Sequence, residues 1–268
     1  IKTIYYATNC HGIAKFALNV SGATPLTYNI FSKMDLHKIR MDLLDKRPER
    51  KHRKLHNQTK RAIKRSHQHY TVNKNEKGTQ TMFCGTRKTN TSIYEALTFA
   101  KGSPVFGPQD ILEAWKTEGG LNFNVLVAVP NISLIRQFLE DLSEEAASLG
   151  IPFNHLEVCS DGTAGVFVSK YENVKVNQIG LTCTTDENEI MNWGNNHSNG
   201  FNWCFSTYQS LDAARKCYKK WDLVIGDEAH VIATHKESEY SIILDNNLVK
   251  SDKKLYQTAT PKISKEKI

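Results

Sequence analysis

Leu223-Val224-Ile225-Gly226-Asp227-Glu228-Ala229-His230 is a short apolar run that ends in two adjacent carboxylates. The run does not alternate polar and apolar residues, so it reads as a strand covered on both faces, as strands of a parallel sheet are. In such sheets the chemistry gathers at the carboxyl ends of the strands. There, one acid can hold Mg²⁺ through its water shell and the next can orient or deprotonate an attacking water. Apolar residues alone mean only a core strand, and adjacent acids are common. Asp-Glu-Ala-His directly after an apolar strand is much rarer.

Upstream, Met82-Phe83-Cys84-Gly85-Thr86-Arg87-Lys88-Thr89 follows a second strand and opens a helix. A phosphate-binding loop needs converging backbone N–H groups, a Lys for the phosphate oxygens and a hydroxyl for Mg²⁺. Lys88 and Thr89 meet that need, and Gly85 gives the loop its freedom. Arg87 departs from it, because the position before the Lys ordinarily takes Gly, where the turn leaves little room for a side chain. Downstream, Leu255-Tyr256-Gln257-Thr258-Ala259-Thr260-Pro261 ends a strand in two hydroxyls that can meet the acids of a neighbouring strand.

Around these three segments strands alternate with helices. Strands are expected at Gln80–Cys84, Val125–Val129, Leu156–Cys159, Trp203–Ser206, Leu223–Gly226 and Leu255–Gln257. Helices are expected at Thr89–Ala100, Ile132–Leu149, Gln209–Tyr218 and Glu237–Leu244, and Asn188–Asn202 reads as an exposed loop. The fold class is α/β, a parallel sheet with helices on both faces. Residues 79–268 form this lobe. Residues 46–78 are a basic linker with helical character over Gln58–His69, and residues 1–45 are a small partial α/β segment, the tail of another domain.

Of the net charge of +7, ten Lys/Arg against one acid between Lys46 and Arg65 supply a local excess of nine, so the rest of the chain is slightly acidic. A basic patch of this density fits a polyanion or a solvated linker equally well. Six cysteines without metal-ligand spacing, several in apolar runs, read as reduced thiols of a cytoplasmic protein. Trp115, Trp193, Trp203 and Trp221 read as packing residues, and no apolar run approaches the length of a membrane span.

Taken together, Met82–Thr89, Asp227–His230 and Thr258–Thr260 resemble motifs I, II and III of superfamily 2 (DEAH-box-like) helicases. Pro130–Gln137 is similar to motif Ia, and Phe205-Ser206-Thr207-Tyr208-Gln209-Ser210-Leu211 to the S-T-Y-Q-S segment of the same RecA-like, P-loop lobe. Gln58 resembles the adenine-reading Q motif. Val158–Asp161 and Thr184–Asp186 are similar to the helicase branch of single-chain Type ISP restriction enzymes and of mobile elements. The first residues resemble the end of an Mrr-like nuclease fold, whose metal-binding acids would lie elsewhere, since no Asp or Glu precedes Asp35.

The resemblance implies ATP and Mg²⁺ as cofactors. Gln58, Gly85, Thr86, Arg87, Lys88 and Thr89 would surround ATP, with Thr89 and Asp227 on the metal. Glu228, Asp227 and Lys88 would be catalytic, and His230, Thr258 and Thr260 would couple hydrolysis to the track. Ser133, Arg136, Thr207 and Gln209 would touch nucleic acid, expected to be double-stranded DNA. A second RecA-like lobe and a nuclease domain of the same full-length chain are the expected partners. The alternative is a non-catalytic nucleic-acid-binding module or nuclease scaffold whose ATPase is impaired by Arg87.

Overall fold

The structure, a computed structural model, describes residues 54–83, 87–160, 183–234 and 239–259, with backbone only at 233, 234, 239 and 240. In chain order the elements are α1 (Asn57–Ser66), a π-helical turn (His67–Val72), β1 (Lys77–Thr81), α2 (Lys88–Lys101), β2 (Phe123–Val129), α3 (Ile132–Leu149) and β3 (Asn154–Val158). They continue with β4 (Cys183–Thr184), α4 (Glu187–Asn196), β5 (Phe201–Thr207), α5 (Leu211–Ala214), β6 (Trp221–Gly226), α6 (His230–Thr234) and β7 (Ser251–Thr258).

Among the described residues the strands form one sheet in the order β1-β7-β6-β2-β5-β3-β4, and every pairing is parallel. Its centre is apolar on both faces because successive side chains point to opposite sides. In β2, Val125, Val127 and Val129 join one core with Phe205 and Ile225, while Leu126 and Ala128 join a second with Cys204 and Val224. The first core is closed by α2 and α3 through Ile93, Leu97, Ile135, Phe138 and Leu142. The second is closed by α4, α5 and α6 through Ile190, Leu211 and Ile232. Each fully buried Leu, Ile or Phe contributes about 1.5–3 kcal/mol of transfer free energy.

Helix ends follow local chemistry. Asn131 accepts a hydrogen bond from the Leu134 N–H to cap α3, and Gly150, at φ +70, ends it. Helix α1 packs through Thr59, Ile63 and Ser66. Tyr70, in the π-helical turn that follows, donates to the Lys254 carbonyl at 2.7 Å, pinning that turn across β1 onto β7.

Four expectations change. Asn188–Asn202 is not a loop but α4 and the start of β5. Asp186 accepts from the Asn188 and Glu189 N–H groups and starts the helix, and Ile190 and Gly194 bury its inner face. Asn202 is fully buried yet satisfied: it donates to Asn124 and the His197 carbonyl and accepts from Asn154. Asn154, Asn202 and Asn124 are register partners on β3, β5 and β2, so they make a polar rung across the sheet. The helix expected at Gln209–Tyr218 shrinks to a 3₁₀ turn (Tyr208–Ser210) and the single turn of α5, and the described part of that expected at Glu237–Leu244 is a 3₁₀ turn, Glu239–Leu244. The first strand lies earlier than expected, although the Met82 N–H still bonds Thr258. Cys159, Cys204 and Cys217 are buried and Cys183 half-buried, and none of the four is in a disulfide. No described helix is long and apolar enough to cross a membrane.

Candidate active site at the carboxyl edge of the sheet

Because β7 lies between β1 and β6, the chain leaving β1 toward Lys88, the end of β7 and the acids after β6 are neighbours at one edge. Lys88, the first residue of α2, bonds Glu228 Oε1 and stands 3.5 Å from Asp227 Oδ1. Burial works to lower the Lys88 pKa. The hydrogen bond to Glu228 and the charges of both acids outweigh it, and the ammonium titrates above its ordinary range. Burial raises the Asp227 carboxyl, with Lys88 opposing.

The acidic turn is held by its backbone. Asp227 N–H donates to the Ala128 carbonyl, Ala229 N–H donates to the Gln257 carbonyl at 2.8 Å, and Tyr208 OH donates to the Asp227 carbonyl at 2.8 Å. Glu228 sits at φ +49, in the left-handed region that a side chain rarely takes, and its N–H caps Asp227 Oδ1. His230 Nδ1 shares a 3.1 Å hydrogen bond with Thr258 Oγ1 and lies 3.3 Å from Glu228 Oε2.

Lys88, Asp227 and Glu228 line a cavity of about 360 Å³ with Arg87, Thr89, Leu134, Gln137, Asp141 and Glu144. Arg87 takes the left-handed conformation, φ +58, at the cap of α2. It is exposed, and its charge works to lower the Asp141 carboxyl, so its influence falls on α3. The Thr89 hydroxyl works in the same direction on Asp141, whose pKa is nonetheless raised by burial and by Glu144 and Glu145. Asp141 does not stand out in the sequence. It lies on the inward face of α3, where its helical spacing is the only written sign.

Gln58 does not share this cavity. It is exposed on α1 and lines another, of about 560 Å³, with Arg61, Arg65, His69, Gln80 and Met82. Gly85, Thr86 and Thr260 lie outside the described residues. Ser133 and Arg136 are exposed on α3, with Arg136 paired to Glu140. Thr207 is corrected: it is fully buried and its hydroxyl donates to Ser210, so its side chain is not a surface contact. Gln209 is half-buried, with its Oε1 enclosed and without a hydrogen bond among the described residues.

The residues fit a nucleotide with its cation. Among the described residues no group of three His, Cys, Asp or Glu has metal-holding geometry. Mg²⁺ that arrives on phosphates needs only one or two protein carboxylates.

Residues 52–263 match the family model of the Type III restriction enzyme, res subunit. The chain belongs to this family. Two solved structures are similar to this res-subunit lobe. One is a nuclease-deletion mutant of the Type ISP restriction-modification enzyme LlaGI in complex with a DNA substrate mimic, 28% identical, TM-score 0.55, over 79% of this chain and 18% of that one. The other is the ATP-dependent Type ISP restriction-modification enzyme LlaBIII bound to DNA, 24% identical, TM-score 0.59, over 97% and 16%. This chain thus spans less than a fifth of either. No curated protein matches it. The lobe is a RecA-like lobe of the superfamily 2 helicase type.

Proposed function

We propose that this lobe binds ATP with Mg²⁺ around Lys88 and is the ATP-hydrolysing half of a translocase that moves along double-stranded DNA in a restriction or mobile-element system. One observation carries the reading: the Lys88 ammonium lies between the Asp227 and Glu228 carboxylates at the carboxyl edge of the sheet. Two carboxylates so placed hold the ammonium at the edge where the phosphates would lie. When phosphate oxygens are present they compete for the same ammonium and release Glu228.

In this reading Lys88 holds the β/γ-phosphates, Thr89 and Asp227 hold the ion, and Glu228 orients the attacking water and takes its proton. Bound Mg²⁺ supplies charge neutralisation at the phosphoryl oxygens. Gly85, Thr86 and Arg87 complete the phosphate loop, and Gln58 reads the base from the neighbouring cavity. His230, Thr258 and Thr260 link the acids to the nucleic-acid face. Ser133, Arg136 and Gln209 touch the strand backbone. The lobe works with a second RecA-like lobe and a nuclease domain of the full-length protein.

The test is binding of a fluorescent ATP analogue with Mg²⁺ by the chain, by Lys88→Ala and by Glu228→Gln. Lys88→Ala should weaken binding about tenfold or more, the worth of a charge-assisted contact to phosphate. Glu228→Gln should bind at least as tightly as wild type, and in the full-length enzyme should lower turnover about a hundredfold or more. Equal affinity for wild type and Lys88→Ala sinks the reading.

A further inference from the structure

A line of buried polar side chains runs from the wall of the Gln58 cavity to the acidic turn. Ser66 and Gln80 line that cavity, and both donate to Glu95 Oε1, at 2.5 and 2.7 Å. Gln80 Oε1 accepts from Gln257 Nε2 at 2.7 Å, and Gln257 Oε1 accepts from Ser92 Oγ at 2.7 Å. The same Ser92 hydroxyl lies 3.2 Å from the Lys88 carbonyl, with which it shares its one proton, and the Gln257 carbonyl takes the Ala229 N–H. Glu95 and Ser92 are fully buried and Gln257 is nearly so.

Glu95 sets the direction of the whole line. Its Oε1 receives both donors and stays an acceptor whether the carboxyl is ionised or carries its proton on Oε2, so Gln80 must turn its NH₂ toward it and its oxygen toward Gln257. Gln257 must then offer its NH₂ to Gln80 and its oxygen to Ser92. An apolar residue at 95 would free both amides to flip. The carboxyl is also expensive where it lies. Burial raises its pKa, and among the described residues no cation pairs with it and Oε2 has no hydrogen-bond partner. A buried acid of this kind is costly as packing alone, and its position at the head of an oriented chain accounts for it.

We propose that Glu95 is a positioning residue for ATP turnover: through Gln80 and Gln257 it holds the end of β7 and the Ala229 turn in register with the base-side cavity and with Lys88. This rests on the nucleotide reading above. The test uses Glu95→Met, which keeps volume but removes the acceptor, Glu95→Gln, which keeps it, and Gln80→Ala, which cuts the line at a half-buried site.

In the full-length enzyme, Glu95→Met and Gln80→Ala should each lower kcat about tenfold with KM within about twofold, the effect of losing one net hydrogen bond of positioning. Glu95→Gln should stay within about twofold of wild type on the same scale. Melting temperatures separate these losses from unfolding. Should Glu95→Met fail to fold, Gln80→Ala decides. Turnover by a folded Glu95→Met or Gln80→Ala near that of wild type overturns the proposal, as does Glu95→Gln as slow as Glu95→Met. If instead wild type binds no ATP analogue, the nucleotide reading has failed and the relay falls with it. Binding by all variants with unchanged kcat sinks the relay alone.

Discussion

Arg87 is held where glycine is at ease, at φ +58. For a side chain the left-handed region costs about 1–2 kcal/mol, and glycine gives back part of that in unfolded-state entropy. Arg87→Gly should therefore be more stable than Arg87→Ala by about 1 kcal/mol in urea unfolding, and equal midpoints would show that the strain is absent. Glu95 makes a pH prediction. Burial pushes its carboxyl up to about 7 from 4.5, so the folded chain holds the proton more tightly than the unfolded one. This contribution to stability is complete below about pH 4.5 and is lost as pH rises through about 7, a difference of about 3 kcal/mol. Wild type should lose that stability between about pH 5 and 8, and Glu95→Gln should not; parallel pH profiles would refute it. Lys88, Asp227 and Glu228 were legible because each follows a strand that its neighbours announce. Glu95 and Gln257 were not. The bonds joining their network span 165 and 177 residues, and no local pattern encodes an amide's orientation.

At the scale of elements, apolar strands and the long α3 were readable because period and capping agree with their tertiary surroundings. Helix α4 and the start of β5 were hidden by composition. Their Asn and Gly look like loop residues, yet Asn202 is a satisfied buried rung, and Gly194 lets α4 settle on the Cys217 backbone. A Cβ at Gly194 would come within 2.1 Å of the Cys217 carbonyl oxygen, so the helix would have to lift. Gly194→Ala should cost about 1–3 kcal/mol, the usual range for forced overpacking, despite alanine's better helix propensity. Thermal denaturation checks it: an unchanged or raised Tm would mean that the contact is not tight. Asp186, which caps α4, is a local sign of this helix that the asparagine-rich composition obscures.

For the whole molecule, the strand order decides what meets what, and order is the property least visible along a chain. Nothing local says that β7 lies between β1 and β6. The charge pattern is visible: α1 carries Lys60, Arg61, Lys64 and Arg65, and none of them has an ion pair among the described residues. If this surface follows a duplex, exchanging Lys60 and Lys64 for Gln should weaken DNA binding. The slope of log K against log salt should also become shallower, by about 0.9 for each phosphate left without its cation. An unchanged slope would remove this helix from the footprint. The Tyr208 phenol, bonded to the Asp227 carbonyl, has a mechanical meaning of its own. The segment after β5 and the acidic turn after β6 are fastened side by side, so neither can be displaced without dragging the other. Whatever grips the first therefore has its hand on the second, and a strut of one aromatic ring takes the place of a hinge.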